Sequence, residues 1–285
     1  MVFSLFNLQI QDVPTRWNST YQMIKRLISH KASITALLSD PNHKHKVQVL
    51  NETEWGKLVC LRDLLEPCER ASDTLGGQKY VSCSTILPIV SDLLVRMTVV
   101  DEDPAYVVRF KTALSTHLLE IQQTYKSNEC VLIATCMDPR FKSLKCLPRA
   151  DRAAAWDAVG RVVGETVPCV QQESPVKKAK VLPLRSLYDS DDDDESQPGG
   201  NECDRYRALP LLTHDESPHL WWRQRYVEYP RLAAVALKYL CVPATSVPCE
   251  RVFSVAGAVV NKKRASLSSD STNELVCLNN WLKNK

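Results

Sequence analysis

The chain has 285 residues, with 36 Lys and Arg against 33 Asp and Glu and a formal net charge of +3. That near-balance gives no charge argument for nucleic-acid binding, and 44% hydrophobic with 24% charged residues is the composition of a folded soluble protein. Eleven cysteines without a CxxC pair, no run of about 18 apolar residues and no basic leader predict reduced thiols in a cytosolic or nuclear protein with no membrane span.

Only eight glycines occur, which favours a mainly α chain. Residues 1–12 form a short featureless segment. In Val13-Pro14-Thr15-Arg16-Trp17-Asn18-Ser19-Thr20, Ser19 and Gln22 have capping-box spacing. Tyr21, Ile24, Leu27 and Ile28 then predict a helix to about Leu38, followed by a polar loop over 39–49. Asn51 and Glu54 make a second box, with Leu50 and Trp55 placed as a hydrophobic staple. That helix continues through Leu58, Leu61 and Leu65, with Pro67 expected to kink or stop it. Gly76-Gly77 breaks the next segment. Ile86, Val90, Leu93 and Met97 give a third helix, and Asp103-Pro104 opens a fourth running to Tyr125. The apolar run 130–135 fits helix or strand. Arg152 to Gly164 reads as a further helix around Trp156, Val159 and Val163.

Composition changes over 166–205. Prolines, a basic run (Lys177-Lys178-Ala179-Lys180) and an acidic run (Asp191 to Glu195) predict a disordered acidic linker. It divides a helical lobe, 13–165, from a C-terminal lobe, 206–285. In the latter, Pro230 opens a helix carrying Leu232, Val235, Ala236, Tyr239 and Leu240. Pro243 and Pro248 bracket a turn. The next helix, capped by Thr245 or Ser246, has a wide apolar face of Val252, Phe253, Val255, Ala256, Val259 and Val260. A final helix begins at the Ser271/Glu274 pair and carries Leu275, Leu278 and Leu282.

Two places can carry chemistry. Arg16 beside Trp17 joins a cation to a π-face, suited to a phosphate and an unstacked base; the competing reading is a Trp that anchors the first helix. Glu250, on the narrow polar stripe of its helix, is either a solvated carboxylate favoured by the helix dipole or one third of a metal site.

These blocks stand in the order of a known family. Val13–Tyr21, Asp138-Pro139-Arg140-Phe141-Lys142, Trp221-Trp222, Tyr229-Pro230-Arg231-Leu232-Ala233 and Pro243–Ser254 resemble the hAT superfamily of DNA transposases and its domesticated descendants, the zinc-finger BED-domain proteins. The resemblance implies an RNase H-like fold with an Asp, Asp, Glu metal site, interrupted by a helical insertion. By that resemblance Arg16 and Trp17 face DNA, Glu250 matches the third carboxylate, residues 13–165 match the insertion, and 206–285 match the dimerisation region. Both family Asp residues lie upstream of the Arg-Trp pair. Only fifteen residues precede Arg16 here, so neither Asp nor a BED finger is expected.

One carboxylate cannot hold a two-metal phosphoryl-transfer site. The expectation is therefore a non-enzymatic, cofactor-free, metal-free nuclear protein with a mainly α fold, the remnant of an RNase H-like one. Its partner is a second copy or a related hAT protein, with DNA as a further partner. The dimerisation residues expected are Leu232, Val235, Tyr239, Leu240, Val252, Phe253, Ala256, Val259, Leu275 and Leu278, whose faces lose the sheet they would cover in the family fold. The alternative is a DNA-binding transcriptional regulator using Arg16 and Trp17. A transposase or a SUMO-ligase-like enzyme ranks below both.

Overall fold

The computed structural model describes residues 17–39, 49–77, 80–166, 201–260 and 267–283. The described residues form α-helices, one short 3-10 turn and no strand. The fold is mainly α, as the scarcity of glycine and the 3.6-residue periodicity imply. The ambiguous run at 130–135 is helical, within Glu129–Met137. The linker expected over 166–205 lies outside the described residues, apart from 166 and its last five positions.

Contacts cluster into two units. The first takes its described residues from Met1–Gln78, Pro88–Thr124 and Ala244–Lys285. Helix α1 (Trp17–Ser29) packs on α3 (Glu52–Leu75), burying Tyr21, Ile24 and Trp55. The single helix expected to run to Leu38 is two, because the chain breaks at His30 before α2 (Lys31–Leu38). Since α1 already includes Trp17, Ser19 lies within the helix and does not cap it.

At α3 the expected box is present. The Asn51 side chain accepts from the Glu54 N–H at 2.9 Å, and the Glu54 carboxylate accepts from the Asn51 N–H at 2.8 Å. Asn51→Ala is expected to cost about 1 kcal/mol, read as a shift in urea midpoint with an unchanged slope. Pro67 does not end α3, which runs on to Leu75 before Gly76. The same unit holds most of α4 (Ile86–Arg96) and α5 (Ala105–Lys126). Lys111 on α5 is buried and donates to the Asp103 carboxylate at 2.6 Å and to the Thr98 carbonyl at 3.1 Å, fixing the loop before its own helix.

The second unit takes its described residues from Lys79–Leu87 and Tyr125–Pro243. Its centre is α6 (Glu129–Met137), with Ile133, Ala134, Cys136 and Met137 fully buried. Around it pack the 3-10 turn Cys83–Thr85, α7 (Arg149–Glu165) and α10 (Pro230–Leu240). Helices α8 (Glu202–Ala208) and α9 (Pro218–Arg225) contact α10. Cys83 and Cys136 fill this interior; burial pushes the Cys83 thiol up to about 12 and the Cys136 thiol higher, so both stay protonated packing groups.

Candidate functional site

Glu250 and the Asp138 block have described places in these units; the Arg-Trp pair does not. Arg16 and the Trp17 side chain lie outside the described residues; the Trp17 backbone is the first residue of α1.

Glu250 stands in the first turn of α11 (Val247–Val259), whose N-cap is Ser246. Its side chain is exposed. The Ser246 hydroxyl donates to its carboxylate at 2.9 Å, so Ser246 serves Glu250 instead of capping a backbone N–H. Among the described residues no three His, Cys, Asp or Glu side chains gather as metal ligands, at Glu250 or elsewhere.

The block Asp138-Pro139-Arg140-Phe141-Lys142 builds the interior of the second unit. Asp138 ends α6 with no exposed surface. Its carboxylate accepts from the Ser84 hydroxyl at 2.6 Å, the Arg140 N–H at 3.0 Å, and the Arg140 guanidinium at 2.9 and 2.7 Å. A buried carboxylate needs this many donors to offset its lost hydration. Four residues after Asp138, the buried Lys142 ammonium donates to the Tyr206 carbonyl and sits 4.7 Å from the centre of the Tyr206 ring. Burial pulls its pKa down to about 8.

Tyr206 is the hub of an aromatic cluster. It has no exposed surface, and Trp156, Trp221, Trp222 and Tyr229 stand 4.9–6.5 Å away between ring centres. Its hydroxyl donates to the Cys136 carbonyl at 3.1 Å, and Trp222 Nε1 donates to the Met137 carbonyl at 2.7 Å. Both bonds occupy carbonyls in the last turn of α6, which the helix cannot bond internally. Glu202 completes the tie: its carboxylate accepts from the Leu232 N–H at 3.0 Å and the Arg231 N–H at 3.4 Å, capping α10 where Pro230 supplies no donor. Tyr206 and Ser84 were not foreseen. Tyr206 adjoins the polar stretch read as linker, and only the Arg205-Tyr206-Arg207 triplet marks it. Ser84 carries no sequence signal.

The ten residues expected at an association surface fall into separate sets. Leu232, Val235 and Leu240 are at most 2% exposed within the second unit, where α6 and its neighbours cover them, and Tyr239 is half-buried. The expectation that this face stays uncovered is corrected for these residues: helices of the same chain take the place foreseen for a sheet. Val252, Ala256 and Val259 are half-buried on α11, which packs on α12 (Ser269–Lys283). That last helix begins two residues before the expected Ser271 cap, and it is the Ser268 hydroxyl that accepts from the Ser271 N–H. Phe253, Leu275 and Leu278 are exposed. Leu275, Leu278, Trp281 and Leu282 recur at three- and four-residue spacing, so one stripe of α12 faces outward while Val276 faces in. Trp281, 65% exposed, joins this stripe although the expected helix face rests on leucines alone. No helix among the described residues is long and apolar enough to cross a membrane.

Comparison with known proteins agrees with the order of the blocks. Residues 202–282 match the hAT family C-terminal dimerisation region, and residues 7–63 match the ZBED1 RNase-like helical domain. The chain is 26% identical over 298 residues to the putative AC transposase of Zea mays, covering 95% of this chain and 36% of that protein. It is 25% identical to the zinc finger BED domain-containing protein DAYSLEEPER of Arabidopsis thaliana, covering 95% and 40%. It is 22% identical to human zinc finger BED domain-containing protein 4, covering 86% and 22%. The chain thus spans a little over a third of the transposase and less than half of these relatives. Relatives of this chain carry both transposase and BED-protein names. Together the two matched regions and these relatives support a hAT-derived, BED-like protein.

Proposed function

We propose that this chain works by association and not by catalysis, pairing with a second copy or a related hAT protein in the nucleus. The observation that carries the reading is the outward stripe Leu275, Leu278, Trp281 and Leu282, inside the segment that matches a dimerisation region. A helix that leaves four large apolar side chains on one stripe in water has a partner. Phe253, 74% exposed on the neighbouring α11, extends the apolar surface of the pair. The half-buried Val252, Ala256 and Val259 support these two helices from within, and the boundaries we assign are 13–165 for the insertion-type domain and 206–285 for the dimerisation domain.

The non-catalytic part of the reading is supported by Glu250, an exposed carboxylate whose partner among the described residues is a serine hydroxyl. Phosphoryl transfer with two metals needs several converging carboxylates. Strand-transfer assays with Mg²⁺ or Mn²⁺ are expected to show no turnover; turnover abolished by Glu250→Ala overturns this part. Nuclear action is supported by relatives named as transposases and as a transcriptional regulator. A DNA-facing role for Arg16 and Trp17 is a second reading, supported by the match of 7–63 to a helical domain of a BED-protein relative.

The association reading is tested by light scattering on the full chain across a hundredfold dilution. The expected mass is near twice 32.2 kDa at high concentration. A mass of 32.2 kDa at every concentration, with no related hAT protein bound, overturns it.

A further inference from the structure

The second unit contains a cavity of about 790 Å³, within the range of small-molecule sites. Its wall is unusually cationic for a chain of net charge +3. Lys142, Arg149, Arg152 and Arg207 line it against one acid, Asp204. Neutral groups hold three of these cations. Arg152 Nε donates to the Leu147 carbonyl at 3.0 Å, Lys142 Nζ donates to the Tyr206 carbonyl, and the Arg207 guanidinium stands 5.0 Å from the centre of the Trp156 ring. Among the described residues only Arg207 reaches an acid, Asp204 at 3.6 Å, in a pair whose side chains are 49% and 69% exposed; such pairs are weak. Among the described residues, little carboxylate charge therefore offsets the cations of the cavity.

A second feature points the same way. Arg149 is the first residue of α7, a 17-residue helix, and Pro148 at its N-cap offers no side chain to the first N–H groups. Arg149, Arg152 and Ala153 all line the cavity, so the first turn of α7, which also carries Asp151, borders it. Guanidinium forks, an ammonium and helix N–H groups are the donors that bind phosphate oxygens.

We propose that this cavity binds a compact polyphosphate, an anion carrying several phosphate groups within its 790 Å³. A nucleic-acid strand is disfavoured by the aromatic group at hand: Trp156 is only 9% exposed and already carries Arg207 on its face, so no free ring offers a base a stacking platform. The site depends on neither the dimer nor DNA binding through Arg16 and Trp17. An anion beside Lys142 also stabilises the charged ammonium against the burial that lowers its pKa.

Titration calorimetry of the full chain with inorganic tripolyphosphate, at low salt, tests this. One anion per chain is expected, with affinity falling as salt rises. Arg149→Gln is expected to weaken binding several-fold, and the double variant with Arg152→Gln at least tenfold. Arg149 is exposed and its removal is expected to leave the melting temperature unchanged, so that variant decides the matter even if Arg152→Gln disturbs the fold. Replacing Lys177, Lys178 and Lys180 with Gln is expected to leave affinity unchanged. Equal binding by wild type and Arg149→Glu overturns the proposal, as does a loss confined to the Lys177, Lys178 and Lys180 variant. A duplex or single-stranded oligonucleotide that binds more tightly than tripolyphosphate, through the same arginines, also overturns it and assigns the surface to nucleic acid.

Discussion

Trp222→Ala is expected to destabilise the second unit by about 3–5 kcal/mol, a large share of the 5–15 kcal/mol that holds a typical domain. Three losses combine. Trp222 is 1% exposed, so truncation leaves a void among Tyr206, Trp221 and Tyr229 that helices α6, α9 and α10 cannot all close. The Met137 carbonyl loses its 2.7 Å donor, and an orphaned buried acceptor costs a further 1–3 kcal/mol where water cannot reach it. The edge-to-face contacts with Trp221 and Tyr229 are lost as well. Tyr206→Phe is the calibrating variant: it keeps the ring and removes only the hydroxyl bond to the Cys136 carbonyl, so about 1 kcal/mol is expected. Urea unfolding, followed by tryptophan fluorescence and far-UV circular dichroism together, reads both. A Trp222→Ala cost below about 1 kcal/mol contradicts a cluster that holds the unit together.

That cluster also shows what the sequence discloses and what it withholds. The Asn51/Glu54 box, the Gly76 stop and the Pro230 start are local devices, each satisfied within a few residues, and they are readable from spacing alone. Pro67 misleads because its cost is local while α3 is stabilised by packing on α1 over a longer span. The Asp138 block stands out as a motif, yet its meaning depends on Ser84, 54 positions upstream, and Lys142 depends on Tyr206, 64 positions downstream. No periodicity encodes such pairs. The same limit governs the candidate surface. An amphipathic pattern marks Leu232 and Leu278 equally as apolar; only the tertiary neighbours decide that α6 covers the first and leaves the second to solvent. The sequence thus names the helices able to associate, and the fold selects among them.

That selection gives the sharpest functional test. Leu278→Asp combined with Trp281→Asp is expected to convert a dimer into monomers, raising its Kd at least a hundredfold. The two side chains are 49% and 65% exposed, so charge there costs the monomer little. At an interface each would sit in a desolvated patch, where losing a Trp or Leu anchor costs about 2 kcal/mol or more, and each 1.4 kcal/mol is tenfold in Kd. Leu232→Ala is the necessary contrast. It is expected to lower stability by roughly 2–5 kcal/mol while leaving the mass of the folded protein unchanged, because Leu232 is spent inside the second unit. Sedimentation equilibrium, with circular dichroism on the same samples, separates loss of association from loss of fold. A dimer that survives both aspartates but dissociates in Leu220→Asp or Val227→Asp, whose side chains are 57% and 75% exposed, would move the interface to α9 and the turn that follows it. A dimer lost only in Leu232→Ala would mean that α10 leaves its own unit to pair with another chain, exchanging the covered face for an intermolecular one.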